Sequence, residues 1–399
     1  MIAFLGMLVM LGIAWALSTN RRAIRWRTVV TGTALQFAFA LLILKTAWGQ
    51  AAFAGATTAV TAFLDFTDAG ASFIFGPGFE EHFFAFKVLP TIIFFSSFIT
   101  ILYYLGLIQW VVKGFARVMM FVMGTSGAES LSASGNIFVG QTEAPLLIRP
   151  YVGSMTMSEL MAVMTGGFAT IAGGVLAAYV GMGVPAGHLI AASVMSAPAA
   201  LVMAKMMFPE TEESLTAGDV KLDVEKPWAN VIDAAAEGAG AGLKLALNVG
   251  AMLLAFIALI AMVNGLLGHV GGWFGYEGLT LELMLGWVFA PLAFLMGVPW
   301  AEASEVGSLL GIKTVVNEFV GYAEMEEMVA AGLISERSEI IATYALCGFS
   351  NFSSIAIQIG GIGGIAPERK QDLARLGLRA MVAGSLACFQ TATIAGLLL

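Results

Sequence analysis

Apolar residues in this chain come in long unbroken runs and not in alternating faces. Runs that approach or exceed the roughly 18–20 residues needed to cross a bilayer predict about eight full spans. They cover residues 1–18, 29–48, 89–112, 157–182, 186–208, 243–268, 339–363 and 378–399. Three regions break the pattern. Residues 49–86 mix Gly, Thr, Asp65, Asp68, Glu80, Glu81 and His82 with Phe and Ala, and predict a helix along the interface followed by a loop. Residues 124–150 and 281–330 are too polar to cross as single apolar helices. Each predicts a re-entrant helical hairpin, since irregular backbone at membrane depth survives only when shielded by protein or lining a wet cavity.

Composition agrees with a polytopic, all-α membrane protein. The chain is 59% hydrophobic and 12% charged, against about 25% charged in soluble domains. The formal charge of −8 argues against nucleic acid as a partner. Cys347 and Cys388 fall in apolar runs and read as core residues, and three scattered histidines suggest neither a zinc site nor a catalytic triad. Basic clusters set the orientation. Arg21, Arg22, Arg25 and Arg27 follow the first apolar run, the reverse of a secretory signal. Lys113 and Arg117 follow the third run, and Arg369, Lys370 and Arg375 precede the last. All fall on one side, which the positive-inside rule makes cytoplasmic, with both termini outside. The acidic loop 209–227 falls inside as well.

The two hairpin regions echo each other. In "GNIFVGQTEA" (135–144) and "GIKTVVNEFV" (311–320), Gly falls on Gly, Val139 on Val315, and Gln141-Thr142 on Asn317-Glu318. Downstream, "GGFAT" (166–170) falls on "CGFSN" (347–351). One hairpin enters from inside and the other from outside, so the pattern predicts an inverted repeat with a site at the midplane. The predicted organisation is spans, interfacial helix and scaffold helix in 1–123; a first transport repeat in 124–208; a loop and scaffold span in 209–280; and a second transport repeat in 281–399.

Carboxylates at mid-membrane are costly and read as functional by default. Glu143 and Glu318 stand at the matching tips, although each could instead cap its hairpin or pair with a cation such as Lys313. Gln141 and Thr142 offer donors and acceptors to a heterocycle edge. Glu318, Asn351 and Ser354 suit hydroxyls, and Val175 and Phe349 suit a ring face. "GGFATIAGG" (166–174) predicts local unwinding or close helix packing. Unwound carbonyls with Asn136 and Thr170 side chains make a hard-cation site of the kind used for sodium. The alternative for the Thr170 hydroxyl is a bond back to its own helix, which is common.

"GNIFVGQTEAPLLIRPY", "MTMSELMAVMTGGFATIAGGVLAAYVGMGVP", "SAPAALVMAKMMFPETE", "GIKTVVNEFVGYAEM" and "SERSEIIATYALCGFSNFSSIAIQIGGIGGIAPERK" closely resemble the concentrative nucleoside transporter family over roughly residues 90–399. The first two spans fit its bacterial members. The resemblance implies a homotrimer in the cytoplasmic membrane that imports nucleosides, uridine-like ones foremost, by alternating access. A co-transported sodium ion drives uptake, or protons in some members, with no organic cofactor. It places Gln141, Thr142 and Glu143 at the base, Val175 and Phe349 around it, and Glu318, Asn351 and Ser354 at the ribose. Sodium falls to the Asn136 and Thr170 side chains with the carbonyls of Val139, Thr170 and Ile171. Family members carry Ser where this chain has Thr170, which keeps the hydroxyl and adds a methyl. Three rivals are a secondary transporter of another small polar solute, a channel, and an intramembrane enzyme with Glu143 and Glu318 as acid and base. The channel lacks a continuous polar stripe. The enzyme lacks a nucleophile, metal cluster or phosphate loop.

Overall fold

The computed structural model describes residues 2–82, 84–216, 227–275 and 278–399, so most of the acidic loop, 217–226, lies outside the described residues. Among the described residues every regular element is helical, and six helices are long and apolar enough to cross a membrane. The N-terminal elements are α1 (Ile2–Ala16), α2 (Trp26–Lys45), α3 (Ala47–Leu64) and α4 (Phe66–Phe75). Then come α5 (Leu89–Leu105), α6 (Leu107–Met123), α7 (Gly127–Gly135), the short α8 (Arg149–Val152), α9 (Met157–Ala169), α10 (Gly173–Met182) and α11 (Ala186–Met207). The second half holds α12 (Val231–Trp273), α13 (Leu281–Met296), α14 (Ala303–Val315), α15 (Glu318–Ala330), α16 (Glu336–Leu346), α17 (Phe352–Ile365) and α18 (Lys370–Leu398).

Several sequence expectations need correction. The run 89–112 is not one span. Gly106 takes a left-handed conformation (φ 83°) and ends α5, where a side chain would be strained. The following α6 buries Ile108, Gln109, Val112, Ala116, Met119 and Met123 and exposes Trp110, Lys113, Arg117 and Phe121, the surface of an interfacial helix. Residues 47–75 form two helices, with Thr46 capping the first by accepting from Gly49 N (2.9 Å). The runs 157–182 and 339–363 are both broken, at 170–172 and 347–351. The second hairpin is narrower than 281–330: α13 is a separate apolar helix lying along α14, and the chain folds back between α14 and α15. There Gly321 lies so near Leu309 that a Cβ on it would sit 3.6 Å from the Leu309 carbonyl. The first hairpin folds back likewise, Gly135 meeting Ala144 and Leu147.

The helix order repeats. A long apolar helix, a shorter helix, a hairpin, a broken helix and a continuous helix run as α5, α6, α7–α8, α9/α10, α11, and again as α12, α13, α14/α15, α16/α17, α18. Equivalent members meet: α5 packs on α12, α11 on α18, and α9 on α11 as α16 on α18. The α5–α12 contact is close because Ala234, Gly238, Gly242 and Ala246 put small residues on one face of α12. A Cβ at Gly242 would stand 2.7 Å from Ile93 Cα. At 43 residues, α12 is about 65 Å long, well beyond one bilayer crossing.

Candidate solute-binding site

Three helix starts converge where the hairpin tips meet the broken helices. Asn317 caps α15 by accepting from Val320 N, and Asn351 caps α17 by accepting from Ser354 N, each at 2.9 Å. The third start, α10, follows extended backbone at Thr170 and Ala172. The two breaks touch, since Phe349 N donates to the Thr170 carbonyl (3.2 Å) and Gly348 leaves room only for backbone beside Phe168 and Ala169. First turns of all three helices, together with Gly140 to Glu143 of the first hairpin, line one cavity of about 190 Å3. Helix starts present unsatisfied N–H groups and the positive end of the helix dipole. The positive ends of these helices thus face a cavity that also carries two carboxylates, Glu143 and Glu318.

All eight residues assigned from the sequence to the solute line this cavity: Gln141, Thr142, Glu143, Val175, Glu318, Phe349, Asn351 and Ser354. Glu318 is 4% exposed. Tyr179 Oη donates to its Oε1 (2.9 Å) and Asn351 Nδ2 to its Oε2 (3.0 Å). Lys313, the alternative partner, donates to the Ala345 carbonyl instead (2.7 Å). Ser353 Oγ donates to Asn351 Oδ1 (2.7 Å), which fixes that amide with its N–H2 toward Glu318. Gln141 Nε2 donates to Ser354 Oγ (3.2 Å), while its Oε1 accepts from Gln358 Nε2 (3.0 Å). Gln358 also donates to the Met164 carbonyl (3.1 Å), anchoring the tip to α9. Thr142 packs on Gly361 of α17. Glu143 differs from Glu318 in being exposed on the rim.

The sequence reading missed the facing wall and the supports. Leu245, Val249, Met252 and Leu253 of α12 close the cavity opposite the polar residues. Their helical spacing was visible, but every other face of that run is also apolar. Tyr179 and Gln358 hold Glu318 and Gln141 from elements remote in sequence, and nothing local signals that.

The residues assigned to the cation also come together. The turn 136–140 seats on small residues around the α9/α10 break: Asn136 on Gly166, the Phe138 carbonyl on Gly173, and Gly140 on Ala172. These glycines stay helical, while the unwound residues are Thr170 to Ala172. Asn136 is 1% exposed, and its Oδ1 has no hydrogen-bond partner while Nδ2 donates to the Ser132 carbonyl (3.1 Å). A buried carbonyl oxygen without a donor is the group a cation would use. The Thr170 hydroxyl does bond back, donating to the Gly166 carbonyl (2.9 Å). That bond uses the proton and leaves the oxygen's acceptor sites, because a hydroxyl has one proton and two acceptor sites. Val139 and Ile171 are buried beside these groups.

Comparison with known proteins gives three family models that match consecutive parts of the chain. "Na+ dependent nucleoside transporter N-terminus" matches residues 5–78, "Nucleoside recognition" 85–186, and "Na+ dependent nucleoside transporter C-terminus" 188–396. An uncharacterized transporter of Haemophilus influenzae is 53% identical, over 99% of this chain and 97% of its own length. Sodium/nucleoside cotransporter 1 of Mus musculus is 44% identical over 100% of this chain, which spans 64% of that relative's length. Among solved structures, CNTnw in an inward-facing substrate-bound state superposes with a TM-score of 0.94 at 48% identity, covering 100% of this chain and 97% of that one. Structures of its variants in outward-facing and intermediate states match as well.

Proposed function

The chain belongs to the Na+ dependent nucleoside transporter family of multi-pass helical membrane transporters, and from that premise we propose that it is a sodium-coupled nucleoside symporter. The observation that carries the reading is the single cavity at three helix starts that gathers all eight expected residues. Gln141 and Thr142 meet the base, Val175 and Phe349 pack on it, and Glu318, Asn351 and Ser354 take the ribose hydroxyls. Glu318 suits that role because Tyr179 and Asn351 hold it in place yet leave lone pairs for hydroxyl donors. Sodium is cargo, taken by the Asn136 and Thr170 side chains with carbonyls of Val139, Thr170 and Ile171. It orders the turn 136–140 that carries Gln141, so ion and nucleoside raise each other's affinity by one factor.

Two bodies follow from the seam through the cavity. Residues 124–208 and 281–399 carry the polar walls and move as the transport part, against a scaffold formed by the N-terminal spans, α5 and α12. The apolar face of α12 offers no hydrogen bonds to the solute, which allows sliding. The relatives' substrate-bound, outward-facing and intermediate states are consistent with alternating access. In the cell the protein imports uridine-like nucleosides across a bacterial cytoplasmic membrane as a homotrimer, both termini outside.

The test is radiolabelled uridine uptake into proteoliposomes. Accumulation with an inward sodium gradient, lost when choline replaces sodium, is the expected result. Uptake that ignores sodium and follows a proton gradient would remove the ion assignment. No uptake of uridine under either gradient, from folded protein, would point to another small polar solute.

A further inference from the structure

A second cavity, of about 370 Å3, lies along the flank of the first hairpin, from Glu143 at its tip to Arg149 and Pro150. Its hairpin wall includes Val139, Glu143 and Arg149, and its opposite wall Tyr103 of α5 with Trp228 and Glu237. Glu143 lines both cavities. Glu237 precedes Leu245 of the first cavity by two turns of α12, a spacing of about 12 Å. The two spaces therefore follow one another along α12, both at the seam between hairpin and scaffold, with Glu143 between them.

Trp228 is the distinctive group. Its ring stands edge to face on Tyr103 (6.0 Å, 83°). Its Nε1–H is shielded from solvent and has no hydrogen-bond partner. Buried indole donors ordinarily find an acceptor, and the lining carboxylates that could accept from a ligand's hydroxyl or amino group are those of Glu143 and Glu237. A nucleoside complements this set, with base carbonyls and ring nitrogens for the indole, hydroxyls for the carboxylates and a flat face for the aromatic wall.

We infer that the second cavity is a transit site for the nucleoside, occupied between the central cavity and release on the side of the hairpin base. The inference rests on the nucleoside reading above. Glu143 hands the solute from one cavity to the next, and its exposure on the rim, unlike buried Glu318, suits a group that binds briefly.

Uridine titration of the purified full-length protein, followed by tryptophan fluorescence, tests it. The expected curve has two phases, the weaker one from Trp228. Trp228→Phe should delete the weaker phase and so locate it. Glu237→Gln keeps the reporter and should raise that phase's half-saturating concentration severalfold. Glu318→Gln should weaken the tighter phase and leave the weaker one standing. A single phase in the wild type, or a weak phase indifferent to both Trp228→Phe and Glu237→Gln, would overturn the transit site. Uptake separates the two readings: a protein that accumulates uridine but lacks the weak phase loses only the transit site, and one that accumulates no uridine loses the nucleoside reading itself.

Discussion

Glu143 and Glu318 carry the same group and occupy corresponding hairpin tips, yet their surroundings divide them. Glu318 is buried, with Tyr179 and Asn351 donating to its two oxygens, whereas Glu143 stands open on the rim. Loss of one donor to a buried carboxylate costs about 1.5–3 kcal/mol. Tyr179→Phe is therefore expected to lower uridine affinity about tenfold or more with the ring packing kept, measured by equilibrium binding. An unaltered affinity would mean that Tyr179 does not position Glu318. At the proposed cation site, Asn136→Ala removes a buried oxygen that has no hydrogen-bond partner and should move the sodium dependence of uptake to higher concentration while leaving the rank order of nucleosides alone. A superimposable sodium curve would remove Asn136 from the ion. The polar members of this cavity were legible because a carboxylate or amide inside an apolar run has few bland explanations. Tyr179 and the α12 wall were not, since a Tyr or Leu among apolar neighbours looks the same whether or not it faces a cavity.

At the scale of elements, the site exists because helices stop inside the protein. Asn317 and Asn351 supply the caps that let α15 and α17 begin there. Asn351 has two tasks, capping with Oδ1 and donating to Glu318 with Nδ2. Asn351→Ser keeps a cap acceptor and removes the Nδ2 donor without setting a second carboxylate beside Glu318, so it should stay more stable than Asn351→Ala, read as thermal midpoint, and still lose transport. Asn351→Ala should lose both, with about 1 kcal/mol from the cap. Equal stability of the two variants would argue against the capping role. The sequence predicted the hairpins from polar stretches among apolar runs and the repeat from Gly and amide spacing, but it merged α5 with α6 and α13 with the second hairpin. Hydropathy sums over faces. It cannot distinguish a span from an amphipathic helix joined to it at Gly106, nor an apolar helix beside a hairpin from part of that hairpin.

The whole molecule depends on tying the first hairpin to its neighbours. Lys205 of α11 meets Glu129 of α7 (2.6 Å) and Glu210 (3.4 Å), and donates to Ser158 of α9 (2.9 Å). Glu210 in turn accepts from Thr156, and Glu159 from Ser214. The base of the hairpin, α9 and α11 are thereby joined by one buried network, as a body that moves together requires. Breaking a buried pair at one partner costs about 3–5 kcal/mol. Lys205→Met should lower the thermal midpoint sharply, and Lys205→Met with Glu129→Met should recover part of the loss. No recovery would mean that packing, and not the uncompensated carboxylate, sets the effect.

The central claim is that a nucleoside sits at the three helix starts with its sugar hydroxyls on Glu318 and Asn351. The most direct measurement compares uptake of uridine and 2′,3′-dideoxyuridine by the wild type and by Glu318→Gln. The account expects the wild type to prefer uridine, and the variant to lose about tenfold or more of its kcat/KM for uridine while changing little for the dideoxy analogue, so that the preference collapses. Loss by the same factor for both solutes would contradict it and take the ribose away from Glu318.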